Sequence, residues 1–102
     1  MPKFYPVTSI KTIKTGSAKS FNLQGRNILI ANVDNEFFAI DDMCSHEDSP
    51  LSLGCLKNEL ISCTLHGSRF NVKTGLPVEE PATEPVQTYV TRINGEMLEV
   101  EY

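Results

Sequence analysis

At 102 residues, 40% hydrophobic and 22% charged, the chain has the size and composition of one ordinary globular domain, with a core whose margin over chain entropy is narrow. The formal net charge is −4 and is unevenly spread: residues 1–20 carry Lys3, Lys11, Lys14 and Lys19 and no acid, while the rest has thirteen acids against five basic residues. That balance argues against a nucleic-acid face; no apolar run approaches a membrane span or a secretory signal; and three cysteines make no disulfide framework, so a reducing cytoplasmic setting is expected.

Read in order, the chain is a series of short strands. Residues 3–7 form an edge strand, because Pro6 has no N–H to give to a ladder. Ile10 and Ile13 fit one helical turn or an extended linker, ended by Gly16 and Ser17. Residues 20–23, a turn at Gln24-Gly25-Arg26, and a buried strand over 27–33 follow; Asp34-Asn35 supplies a tight turn into a return strand over 36–40. Residues 41–54 have no helical period and read as a loop. Residues 59–62 are a short strand running into Cys63, and Phe70-Asn71-Val72 is another, closed by a turn at Lys73-Thr74-Gly75. Pro77, Pro81 and Pro85 preclude a regular ladder over 76–85 and give a stiff extended loop. Residues 87–93 read as one strand, Asn94-Gly95 as a hairpin turn, and 96–102 as the alternating return strand. The sum predicts an all-β protein, an antiparallel β-sandwich or barrel of one domain.

Chemistry concentrates in one stretch. Cys44-Ser45-His46 is followed, after sixteen intervening residues, by Cys63-Thr64-Leu65-His66, and these pairs contain both histidines and two of the three cysteines. Two thiolates and two imidazoles make a four-ligand metal set that suits zinc or an iron-sulfur centre. Structural zinc sites commonly pair like ligands, Cys with Cys and His with His. Here each pair is mixed, which suits a [2Fe-2S] centre in which each loop gives a cysteine to one iron and a histidine to the other.

Residues 44–75 resemble the Rieske-type ferredoxins. The resemblance rests on the Cys-x-His and Cys-x2-His pairs and their spacing, on Pro50-Leu51-Ser52-Leu53-Gly54, and on the run from His66 through Gly67, Ser68, Arg69, Phe70, Asn71, Val72, Lys73 and Thr74 to Gly75. It implies a Rieske fold over 1–102. A cluster-binding subdomain at about 41–85 would carry two ligand loops under a proline-rich covering loop, on a base formed by the N- and C-terminal strands. It implies one [2Fe-2S] cluster, with Cys44 and Cys63 on one iron and His46 and His66 on the other. Such a cluster carries less negative charge than its four-cysteine counterpart, so it accepts an electron more readily, at roughly −150 to +300 mV against about −400 mV.

Two further implications concern the potential. Respiratory members of the family join the two loops by a disulfide; Ser49 and Leu65 stand at those positions, so it cannot form here. Those members also place a serine and a tyrosine after the second histidine, both donating to cluster sulfur. Ser68 holds the serine position and Phe70 the tyrosine position. Donors to sulfur stabilise the reduced state, so the lower part of the window is expected. Asp41, Asp42, Glu47 and Asp48 push the same way unless screened. Phe70 reads as core, and the third thiol, Cys55, as a buried inert side chain.

The resemblance implies a function. No nucleophile–base pair, phosphate-binding loop or second histidine pair for a mononuclear iron is present, so electron carriage is expected and not substrate chemistry. The chain should be a soluble, monomeric one-electron carrier between a flavin-containing (flavin-dependent) ferredoxin reductase and a terminal Rieske oxygenase, as in multicomponent aromatic-ring dioxygenase systems. Two alternatives stand beside this: a small Rieske-type subunit of a nitrite reductase-like complex, and a zinc-stapled interaction module.

Overall fold

The computed structural model describes residues 3–43, 51–62, 69–78 and 84–102. Within these the chain is antiparallel β structure with two short 3-10 turns and no α-helix. The strands are β1 (Phe4–Ser9), β2 (Ala18–Leu23), β3 (Arg26–Val33), β4 (Glu36–Asp41), β5 (Leu56–Lys57), β6 (Leu60–Ser62), β7 (Arg69–Asn71), β8 (Thr88–Tyr89), β9 (Thr91–Asn94) and β10 (Met97–Glu101). They form three sheets, ordered β1-β10-β9, β2-β3-β4-β8 and β5-β6-β7.

The β2-β3-β4-β8 sheet is the middle layer, and β3 shows why. Side chains alternate across a strand, and both faces of β3 are covered. Ile28 and Ile30 pack with Ile13, Leu23, Ala39, Leu98 and Val100 towards the β1-β10-β9 sheet. Leu29, Ala31 and Val33 pack with Ile40, Leu51, Ile61, Phe70, Val72 and Val86 towards the β5-β6-β7 sheet. A strand covered on both sides reads as a continuous apolar run, as residues 28–31 do. The one polar side chain on this buried run is Asn32. Its amide donates to the Ile13 carbonyl at 2.8 Å and its oxygen accepts from the Asn35 N–H at 2.8 Å, so both ends are satisfied.

The hairpin turns follow their sequence. Gln24-Gly25 joins β2 to β3 and Asp34-Asn35 joins β3 to β4, with positive φ at all four residues, the type I′ requirement. Pro6 lies on the edge strand β1 beside a register shift between Pro6 and Thr8, where its missing N–H interrupts no regular ladder. Ile10–Thr12 forms a 3-10 turn capped by the Ser9 hydroxyl.

Three expectations need correction, and one strand had no sequence signal. The single strand read over 87–93 is two strands in different sheets: Thr88 and Tyr89 pair with β4, whereas Thr91 pairs with β10, and Val90 is the switch. Local β propensity is the same on both sides of that switch, so only the sheets on offer distinguish them. The last hairpin turns at Gly95-Glu96 rather than Asn94-Gly95, because Asn94 pairs with Met97; the glycine takes the first central position with φ +66. The loop read over 41–54 contains a 3-10 turn, Leu51–Leu53, with Leu51 fully buried. Finally, Leu56–Lys57 forms a strand that its two residues are too short to announce.

Candidate metal centre

Cys44, His46, Cys63, His66 and Ser68 all lie outside the described residues, as do Glu47, Asp48, Ser49, Leu65 and Gly67. What the structure defines is the frame from which the two ligand-bearing segments leave and to which they return.

The second segment is a hairpin connection. β6 ends at Ser62, β7 begins at Arg69, and those two residues are register partners. Residues 63–68, with Cys63 and His66, therefore bridge two paired strands. The first segment leaves β4 at Asp41 and returns at the buried Leu51. Its neck is closed by a side chain. Asp42, 4% exposed, accepts from the Ser52 N–H and from the Ser52 hydroxyl, each at 2.7 Å. The Asp42 N–H donates to the Asn27 carbonyl on β3 at 3.1 Å.

The two frames are joined. The Ser62 N–H and hydroxyl both donate to the Cys55 carbonyl at 3.1 Å, and the Cys55 N–H reaches the Ser62 Oγ at 3.4 Å. Next to this, Gly54 lies so close to β6 that any Cβ would overlap the Ser62 carbonyl oxygen. The first segment's exit thus rests on the residue immediately before Cys63. The donor chemistry of Cys44, His46, Cys63 and His66, on two segments anchored to one hydrogen-bonded patch, fits a bridged two-iron cluster. Among the described residues no other group of His, Cys, Asp and Glu could hold a metal ion.

The proline-rich segment is fastened beside this frame. Phe70 and Pro77 form an isolated bridge, the Val78 N–H donates to the Arg69 carbonyl at 2.8 Å, and the Asn71 N–H donates to the Leu76 carbonyl at 2.9 Å. Its return is held by the Val86 N–H on the Gly75 carbonyl at 2.8 Å. Gly75 has φ +78 and packs against the Val86 backbone too tightly for a side chain. Residues 79–83 lie outside the described residues.

Of the four acids that the sequence placed near the site, Asp41 and Asp42 lie within the described residues, and both are bonded. Asp42 is the buried clamp. Asp41 faces Arg26 at 3.4 Å and accepts from the Tyr89 hydroxyl at 2.6 Å, while Arg26 also donates to the Tyr89 oxygen at 3.3 Å. Burial, and then the bond to Asp41, push the Tyr89 phenol above the usual tyrosine range, against a smaller opposing pull from Arg26. The Tyr89 oxygen and, after it, the Asp41 charge raise the Arg26 guanidinium in turn. Phe70 is core, as read. Cys55, just before the edge strand β5, is exposed rather than buried; this corrects the sequence reading. The Asp42–Ser52 clamp and the Gly54 approach were not seen in the sequence. Asp-x9-Ser is no recognisable local pattern, and only the fold brings the pair together.

The family profile of the Rieske [2Fe-2S] domain matches residues 3–90. The chain belongs to the Rieske [2Fe-2S] domain family. This Rieske chain is 34% identical over 100 residues to the biphenyl dioxygenase ferredoxin subunit of Pseudomonas sp. strain KKS102, covering 97% of this chain and 92% of that one. It is 45% identical over 69 residues to the ferredoxin component of biphenyl 2,3-dioxygenase from Rhodococcus jostii strain RHA1, an alignment spanning 68% of this chain and 64% of that protein. Among solved structures it superimposes on the ferredoxin of carbazole 1,9a-dioxygenase from Nocardioides aromaticivorans IC177 with TM-score 0.91 and 29% identity, covering 98% and 96% of the two chains. The Rieske fold, expected from the motif, is the observed fold. The cofactor is a [2Fe-2S] cluster, which removes the zinc reading, and the chain is a ferredoxin-type electron carrier rather than a catalytic enzyme.

Proposed function

We propose that this Rieske ferredoxin is a soluble, cytoplasmic, monomeric carrier that takes one electron from a flavin-containing reductase and delivers it to a terminal Rieske oxygenase of an aromatic-ring dioxygenase system. The near full-length likeness to the ferredoxin subunit of a biphenyl dioxygenase carries this reading. A structure titled as a complex of reduced oxygenase and oxidized ferredoxin in carbazole 1,9a-dioxygenase adds support, matching at TM-score 0.91 with 28% identity over 95% of this chain and 91% of that one. Residues 41–85 act as the cluster-binding subdomain of the single domain 1–102.

In this reading Cys44 and Cys63 hold one iron, His46 and His66 hold the other, and the Ser68 hydroxyl donates to a cluster sulfur. The bound cluster supplies reversible one-electron chemistry. The chain's own residues do the rest. The β6-β7 hairpin and the Asp42–Ser52 clamp hold the ends from which the ligand segments leave. Met43, next to Cys44, and Leu76 and Val78, on the strap beside β7, are exposed apolar side chains at 42%, 53% and 49%. They supply the apolar part of a small docking face, as suits transient redox encounters. The acidic excess outside residues 1–20 steers the chain towards basic partner surfaces.

The test is reconstitution. Purified protein is expected to hold two irons per chain, as a [2Fe-2S] cluster requires, and to give a reduced-state EPR signal of mixed Cys/His ligation. It should then relay electrons from an NADH-dependent flavoprotein reductase to a Rieske oxygenase in stopped flow. Stable co-purification with a large reductase subunit, with no relay to an oxygenase, would replace this reading with the nitrite reductase-like one.

A further inference from the structure

We infer that Asp42 is a positioning residue for the cluster, acting through Ser52 as the clasp that closes the first ligand segment. This rests on the cluster reading and assigns a role to a residue that is not a ligand. The clasp is held at both ends. On one side the Asp42 N–H is bonded to Asn27 of β3, so its backbone cannot drift from the middle sheet. On the other, its two carboxylate oxygens take the N–H and the hydroxyl of Ser52, each at 2.7 Å. Ser52 follows the fully buried Leu51 and precedes Gly54, whose N–H returns to the Leu51 carbonyl at 2.9 Å. Cys44 and His46 lie within the ring that this side chain closes.

The geometry suits positioning better than general stabilisation. Asp42 is 4% exposed, and among the described residues no ion pair reaches it; its bonds go to a single residue across the neck. Hydrogen bonds to a charged acceptor are shorter and about twice as strong as neutral ones. A paired bond of this kind holds the ends of residues 43–51 at fixed separation. Both first-segment ligands are thereby presented to the cluster at little further entropic cost. Without it, among the described residues the ends of the segment would be tied through the backbone bonds of Asp42 and Gly54 and the burial of Leu51, and the cysteine and histidine would be less firmly positioned.

The chemistry of serine makes the proposal separable from the charge it carries. In Asp42→Asn the amide oxygen can still accept from the Ser52 N–H, and the amide NH2 can donate to the Ser52 hydroxyl oxygen. Asp42→Asn therefore keeps the clasp and removes the charge, whereas Asp42→Ala removes both. Ser52→Ala removes only the hydroxyl bond.

The experiment measures release of iron from reduced holoprotein to a chelator of ferrous iron, with the reduced-state EPR spectrum of each variant. Asp42→Ala is expected to release iron about tenfold faster or more, with broadened g values from a less uniform ligand geometry. Asp42→Asn should stay within about threefold of the parent with unbroadened lines, and the double variant Asp42→Ala/Ser52→Ala should be no faster than Asp42→Ala alone. Parent-like release from Asp42→Ala, release from Asp42→Asn as fast as from Asp42→Ala, or additive effects in the double variant would each overturn the clasp. If Asp42→Ala assembles no cluster, Asp42→Asn decides: recovery of the cluster upholds the clasp and continued absence overturns it. The parent spectrum, recorded first, tests the cluster reading by itself, whereas the variant ratios test the clasp.

Discussion

Tyr89 gives its hydroxyl proton to Asp41 while its oxygen receives Arg26, so one phenol ties β8 to the end of β4 and the start of β3. The phenol's pKa is raised in the folded chain relative to its ordinary 10.0, chiefly by burial. The protonated phenol is thus the form the fold prefers. Its contribution to stability is complete below the unfolded value and fades as pH rises through the higher folded value. Stability measured by urea denaturation should fall above about pH 10 more steeply in the parent than in Tyr89→Phe, the reference for the other groups that titrate there. Ser68 is the residue with the most direct bearing on the potential. If its hydroxyl donates to cluster sulfur, Ser68→Ala should lower the midpoint by about 60 mV, the one-electron equivalent of a tenfold bias worth one hydrogen bond. Protein-film voltammetry reads this, and an unchanged midpoint would leave Ser68 as a turn hydroxyl.

At the scale of elements, the site is a matter of which ends meet. The β5-β6-β7 sheet is small, yet its middle strand ends one residue before Cys63 and its last strand begins one residue after Ser68. Gly54 seats the first segment's exit on that middle strand. Gly54→Ala would force its new carbon into the Ser62 carbonyl, which is backbone and cannot rotate aside. The hairpin must shift, and the cost should exceed about 2 kcal/mol, the range of forced overpacking. The expected outcome is low iron content and a lowered thermal midpoint; full cluster occupancy with unchanged melting would show that the frame yields at Gly54. A second element-scale feature is the switch at Val90. The chain leaves β8 in the middle sheet and enters β9 in the outer one, so one short stretch links the ligand-bearing side of the molecule to the terminal strands.

For the whole molecule, the middle sheet separates two cores and couples two ends. One core lies under the terminal strands, and the other lies under the ligand frame and includes Leu51, Ile61 and Phe70, each on an element that leads to or from a ligand segment. Charge acts at this scale too. With net charge −4, the molecule carries a field that favours basic partner faces. The second-order rate of electron delivery to a basic oxygenase surface should fall as ionic strength rises from 10 mM to 300 mM, as the Debye length shortens from about 30 Å towards 6 Å. A rate that is flat in salt would mean that apolar contacts such as Met43, Leu76 and Val78 govern docking instead.

Cysteine and histidine spacing, alternation and turn residues are local properties, and they were legible in the chain. They determined the all-β class, the turns at Gln24-Gly25-Arg26 and Asp34-Asn35, the buried strand that became β3, and a ligand set expected from the resemblance to the Rieske ferredoxins. The rest depends on partners distant in sequence. Residues 87–93 carry one β pattern, but whether they make one strand or two depends on which sheet edges lie beside them. Cys55 has a side chain that is usually buried, yet its place just before β5 leaves it exposed. Asp42 reads as a surface acid until the fold places Ser52 against it, and Gly54 reads as a loop ending until β6 lies too close for any side chain. Hydrogen bonds and steric contacts between segments eight or more residues apart are formed only by the folded chain. Sequence therefore named the residues proposed to hold the cluster, and tertiary structure alone decided what fastens the ends of the segments that carry them.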